Sequence, residues 1–265
     1  MLQGTMGTID TMPISAIFII ALGVVLLAIE LGFRAGRWRL QTAAGMAESE
    51  AQLSAMTGSL LALLAFIMAF SFSMAAGHYH ERRALILEEA NTISTAHLRA
   101  TLIETAEGAA IADQLVDYTA VRVSVKSLDQ APQMIALSEQ LQDQIWAQVQ
   151  LLIRRENVTV LHSLLIQSLN DVFDVHEQRV AAGLKHRVPR SLWFILASLL
   201  VISMLSIGYF SGSKGSRNPI AGTLLALAFS LVLFLIADLD RPTGGIVRAD
   251  LSPLLNLQLK LESQR

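Results

Sequence analysis

The chain has 265 residues, 53% of them hydrophobic and only 16% charged, whereas a water-soluble domain carries about 25% charged residues. Its 20 Lys and Arg against 22 Asp and Glu leave a net charge of −2, which excludes a disordered polyelectrolyte and a basic nucleic-acid binder. Cysteine is absent, so disulfides, thiol catalysis and thiolate metal sites are excluded as well.

The apolar residues gather in four stretches, each near the ~20 residues a helix needs to cross hydrocarbon. The first, 13–33, carries one charge, Glu30, about a turn from its end, where a carboxylate reaches headgroups. No Lys or Arg precedes it and basic residues follow it, the reverse of a secretory signal. The second, 53–77, has no charged side chain. Its hydroxyls, Thr57, Ser59, Ser71 and Ser73, can bond to their own helix carbonyls or to a partner helix.

Residues 78–190 differ in composition, being rich in Glu, Gln, Arg, Ala and Leu, and read as a water-facing domain. Glycines and prolines punctuate it into helices over Glu81 to about Glu107, Ala109 to about Ser127, and Gln133 to about Arg187. A turn is expected around Pro132, and a break at Asn157-Val158-Thr159. Leu85, Leu87, Ile93, Leu98 and Leu102 recur at roughly helical spacing and read as core. No alternating run is long enough for a sheet. The third and fourth apolar stretches, 191–210 and 219–237, flank a glycine-serine turn and read as a membrane hairpin.

The expected fold is therefore all-α: an N-terminal membrane pair (1–77), a helical extramembrane domain (78–190), a C-terminal membrane hairpin (191–237) and a tail (238–265) free to lie along the bundle or the headgroups. Arg34, Arg37 and Arg39 after the first span favour an outside N-terminus, while Arg82, Arg83, Lys185, Arg187, Arg190 and Arg241 crowd the other face. The positive-inside rule leaves the orientation open.

Three stretches carry a resemblance: LLALLAFIMAFSFSMAAGHYHERRALILEEANTISTAHLRA at 60–100, NDVFDVHEQRVAAGLKHRVP at 170–189 and DLDRPTGGIVRADLSPLL at 238–255. They resemble the bestrophin-like family of bacterial multi-pass membrane proteins, named for a distant likeness to bestrophins, which are pentameric ion channels with four membrane helices per subunit. The resemblance implies an oligomeric passive channel, pentameric by analogy, in the bacterial inner membrane. In bestrophins the second membrane helix lines a narrow neck with bulky apolar side chains four residues apart, a spacing that Phe66, Phe70 and Met74 reproduce here, with Ser73 beside them. A ring of such faces makes a hydrophobic constriction that gates by dewetting; the plain alternative is packing against a neighbouring helix or lipid. The acidic run that follows the last span in calcium-activated bestrophins is reduced here to Asp238 and Asp240, too few for the six to eight oxygens of calcium.

Three polar groups stand out. Glu88, Glu89 and Asn91 suit a charged pore mouth or a solvated face paired with Arg82, Arg83 or a neighbouring subunit. Asp238, Asp240 and Arg241, at the end of the fourth stretch, suggest a local salt bridge fixing its depth, with Pro242 stopping the helix. His78 and His80 with Glu81 are weak zinc candidates, to which His176 with Asp171 and Asp174 would add a ligand. No nucleophile elbow, phosphate loop or dinucleotide fingerprint appears, so an enzyme is the least supported class and no cofactor is expected. The expected partners are the lipid bilayer, inorganic ions and further copies of the chain, with no nucleic acid. The rival to a channel is a non-conducting scaffold or signalling protein whose helical domain binds a partner.

Overall fold

The computed structural model describes residues 12–42, 50–124, 128–155, 158–215, 217–242 and 245–265, and among them the chain is all-helical, with no strand. Eight α-helices follow one another: α1 (Ile14–Thr42), α2 (Glu50–Thr101), α3 (Ala106–Ser124), α4 (Ala131–Arg155), α5 (Val160–Leu184), α6 (Arg190–Ser213), α7 (Pro219–Asp240) and α8 (Ser252–Glu262). Helices α1, α2, α6 and α7 are long and apolar enough to cross a bilayer.

Local signals account for several helix ends. Thr159 caps α5, its hydroxyl accepting from the His162 amide while the His162 ring accepts from the Thr159 amide, so the expected break before α5 is made by a capping box. Asn157 lies outside the described residues. Asn218 caps α7, accepting from the Ala221 amide at 3.1 Å, and Pro219 occupies the first helical turn. The preceding turn uses Gly215 at φ +68, a conformation that glycine adopts without strain.

Some expected boundaries move. Helix α2 is unbroken over 52 residues, whereas the sequence reading ends one helix at Gly77 and starts another at Glu81. A single internal glycine costs a helix only about 1 kcal/mol, which does not interrupt a long helix packed on both sides of it. Pro132 is the second residue of α4 and not the centre of a turn, a position where its missing N–H is not needed. Helix α1 continues nine residues beyond the apolar run, through the arginines.

The chain forms two compact units. The membrane unit holds α1, α2 up to Gly77, and Arg187–Arg241. In it, α1 packs against α6 and α7. The contact with α6 runs through two glycine pairs: an added Cβ at Gly32 would lie 2.1 Å from the Leu205 carbonyl oxygen and one at Gly36 2.2 Å from that of Tyr209. Reciprocally, Cβ atoms at Gly208 and Gly212 would lie 2.0 and 2.2 Å from the Ile29 and Phe33 oxygens. Backbones this close need glycine at positions four residues apart on both helices, the small-xxx-small device of membrane packing.

The helical unit holds His78–His186 and Pro242–Arg265. Its core draws Ile86, Ala90 and Ile93 from α2, Ile111 and Leu115 from α3, Ile145 and Val149 from α4, Leu165 and Leu169 from α5, and Leu254, Leu257 and Leu261 from α8. The C-terminal helix therefore lies in the bundle. The expected leucine stripe is corrected: Leu85 and Ile93 are buried, but Leu87, Leu98 and Leu102 are more than half exposed. The buried face of α2 instead uses alanines at 90, 96 and 100 between isoleucines, small residues that let neighbouring helices approach.

Candidate functional site: the second helix and its polar partners

Within the membrane unit, α2 presents two different faces. Leu64, Met68, Ser71 and Ala75 recur every three or four residues and are buried. At 100° per residue, Phe66, Phe70 and Ser73 fall on the opposite side of the helix. They are exposed there, Phe66 at 67% and Phe70 at 51%, while Met74 sits at the rim, partly covered. Ser59 and Ser71 donate to the Ala55 and Ile67 carbonyls one turn back, and Thr57 meets Ser206 of α6 at 2.9 Å.

Glu30 accepts from Arg34 Nε at 2.9 Å and from Arg217 Nη2 at 2.8 Å. At the end of α7, Asp238, Asp240 and Arg241 are all buried. Asp240 Oδ1 accepts from the Val188 amide at 2.9 Å, its carbonyl accepts from Arg187, and Arg241 Nη2 donates to the Met12 carbonyl at 2.7 Å. These contacts fasten the end of α7 to the segment just before α6 and to Met12, two residues before α1. Helix α7 ends where expected, with Arg241 extended in front of Pro242.

Within the helical unit the three polar residues of α2 separate. Glu88 and Asn91 are exposed. Glu89 is fully buried: its Oε1 accepts from Arg122 Nε at 2.6 Å and its Oε2 from Arg179. Arg122 also reaches Ser138 Oγ at 3.5 Å, so the cluster joins α2, α3, α4 and α5. Burial pulls the Arg179 guanidinium below the ordinary arginine range, and the Glu89 carboxylate opposes that shift. Two guanidiniums share one carboxylate, which leaves the cluster with a formal charge of +1.

Next to it, Tyr118 Oη lies 3.2 Å from His176 Nδ1 and receives Gln142 Nε2 at 3.4 Å. Burial pushes the Tyr118 hydroxyl up to about 12, so it stays protonated. Burial first, and then the Arg122 charge, hold the His176 imidazole down to about 4, so it is neutral at pH 7.

The histidines are not gathered as the sequence suggests. His176 is not grouped with His78 and His80 among the described residues. The His78 ring lies 6.3 Å from that of His186, which faces the Glu81 carboxylate at 3.1 Å, and His80 stacks edge-on to Tyr79. Arg122, Arg179 and Tyr118 escaped the sequence reading, because each joins its partner across a separation of tens of residues. The Gly32/Gly36 and Gly208/Gly212 pairs did carry a readable signal, the G-x-x-x-G spacing.

A family model described as the Bestrophin-like domain matches residues 17–254. No functionally curated protein matches the chain. Among solved structures, two crystal structures of variants of a bacterial bestrophin homolog from Klebsiella pneumoniae superpose with a TM-score of 0.66 each. One is 16% identical over 93% of this chain and 96% of that one; the other is 15% identical over 92% and 97%. A third structure, titled only as a membrane protein, gives 0.65 at 15% identity over 93% and 96%. At these identities the likeness is one of fold.

Proposed function

Since the chain belongs to the bestrophin-like family and is a membrane protein with four spanning helices, we propose that it is a passive ion channel of the bacterial inner membrane. In this reading several copies, five by analogy with bestrophins, form a ring in which the Phe66, Phe70 and Ser73 face of α2 surrounds the axis.

The observation that carries the reading is the pair of opposed faces on α2. Leu64, Met68, Ser71 and Ala75 satisfy the protomer's own packing, so the phenylalanine stripe is left for something outside the protomer. Lipid alone would accept Phe66 and Phe70, but a hydroxyl at Ser73 on the same side gains more from water or ions than from acyl chains. Bulky apolar rings with a hydroxyl beside them form a constriction that is dry at rest and wets on opening. In the helical unit, the exposed Leu87 and Leu98 of the same helix, with Leu102 just past its end, offer apolar surface for neighbouring copies.

The test is ion flux from liposomes holding the purified protein, against empty liposomes and a Phe70→Ala variant. Flux above background that rises or loses its gating in Phe70→Ala supports a constriction at that residue. Absence of flux across a range of pH, voltage and calcium concentration returns the protein to the scaffold class.

A further inference from the structure

His176 sits on α5 with its side chain fully buried, and its Nε2 has no hydrogen-bond partner. Its other nitrogen, Nδ1, faces Tyr118 Oη at 3.2 Å. A ligand atom from each of Glu139 on α4, His176 and Glu177 lies within 4.8 Å of the other two, and the two glutamates are exposed. We propose that Glu139, His176 and Glu177 form a binding site for a divalent transition-metal cation of the zinc type, which clasps α4 to α5. This inference is independent of whether the protein conducts.

The buried imidazole is the informative part. An unpartnered ring nitrogen in a packed core is costly, and a burial of this kind persists where the nitrogen serves something. The Tyr118 hydroxyl can accept from Nδ1–H, the tautomer that leaves the Nε2 lone pair for a metal, which is how ligating histidines are oriented. Tyr118 is itself fully buried on α3 and is held by Gln142, so the ring cannot turn away.

The two carboxylates add a charge of −2, which outweighs the +1 of the nearby Glu89, Arg122 and Arg179 cluster. Their exposure gives a cation a path from solvent and leaves them rotamer freedom to close on it. The donor set also selects among cations. Calcium takes six to eight oxygens and magnesium keeps an octahedral oxygen shell, and neither favours imidazole. One imidazole, two carboxylates and a water match the mixed nitrogen and oxygen coordination of zinc and its first-row neighbours.

The experiment is isothermal titration of the full chain in detergent, freed of metal with a chelator, with zinc chloride, and with magnesium and calcium chloride as controls. Thermal unfolding with and without zinc is read in parallel. The expected result is one saturable zinc site whose Kd rises at least tenfold in Glu139→Gln and in Glu177→Gln. Both are exposed, near-isosteric changes that leave folding intact. Tyr118→Phe, which removes the acceptor behind the ring, should weaken zinc by about 10- to 100-fold. Zinc should raise the melting temperature of the wild type but not of Glu139→Gln. Absence of saturable zinc binding overturns the proposal. So does zinc binding that both glutamine variants leave unchanged, which would assign the metal to the histidines around His78 and His186.

Discussion

The Oε1 atom of Glu89 lies 2.6 Å from Nε of Arg122, with both side chains buried, and Arg179 holds the other carboxylate oxygen. Helices α3 and α5 thus converge on a carboxylate of α2. A buried pair of this kind contributes little over a well-packed apolar core, but breaking it strands the remaining charges.

Glu89→Gln is therefore expected to destabilise the protein by about 3–5 kcal/mol, since it leaves two buried guanidiniums facing a neutral amide. Glu88→Gln, one residue away on the exposed side, should change stability by no more than about 0.5 kcal/mol. Chemical denaturation of the two variants in the same detergent distinguishes them. Equal effects would contradict the burial difference.

The glycine contacts between α1 and α6 give a second expectation. In Gly32→Ala and Gly212→Ala the new methyl group meets backbone oxygen, which cannot rotate away, so each should cost at least the ~1–3 kcal/mol of overpacking and loosen the helix pair. Gly23→Ala is the control, because a Cβ there meets nothing within 4 Å. Thermal aggregation in detergent should begin earlier for the first two variants only.

His97 supplies a pH dependence. It is buried, its Nδ1 has no partner, and it lines a cavity of about 700 Å³ in the helical unit together with Leu98, Asp113 and Leu261. Burial lowers its pKa below the ordinary 6.5, with Asp113 opposing and Lys260 assisting. The unfolded chain therefore takes up a proton that the folded ring refuses, and stability falls as the pH drops below about 6.5 towards the folded value. His97→Gln should narrow the gap in melting temperature between pH 8 and pH 5.5, measured with chelator present. An unchanged gap would show that the ring titrates normally in the fold.

Much of the architecture was legible in the sequence because hydrophobic spans and helix caps are local signals. The four spanning helices, the all-helical class and the break before Val160 follow from residues a few positions apart. The buried face of α2 in the helical unit was misread for a physical reason: leucines draw attention, whereas Ala90, Ala96 and Ala100 carry the packing and Leu87, Leu98 and Leu102 remain outside. The partners of Glu89 and His176 were not readable, since Arg122, Arg179 and Tyr118 reach them only through the bundle. The Phe66 and Phe70 spacing was visible, but which side of α2 packs inward became clear only from the burial of Leu64, Met68, Ser71 and Ala75.

In the proposed channel the Phe66, Phe70 and Ser73 face of α2 borders the ion path. The chain has no cysteine, so Ser73→Cys and Ser71→Cys place a single thiol on the exposed and the buried side of the same turn. The decisive measurement is ion flux from liposomes before and after a charged, water-soluble thiol reagent. If this face lines the path, the reagent blocks or alters flux through Ser73→Cys and leaves Ser71→Cys unaffected. Flux through Ser73→Cys that the reagent leaves unchanged, despite complete labelling, or no flux from any variant, would contradict it.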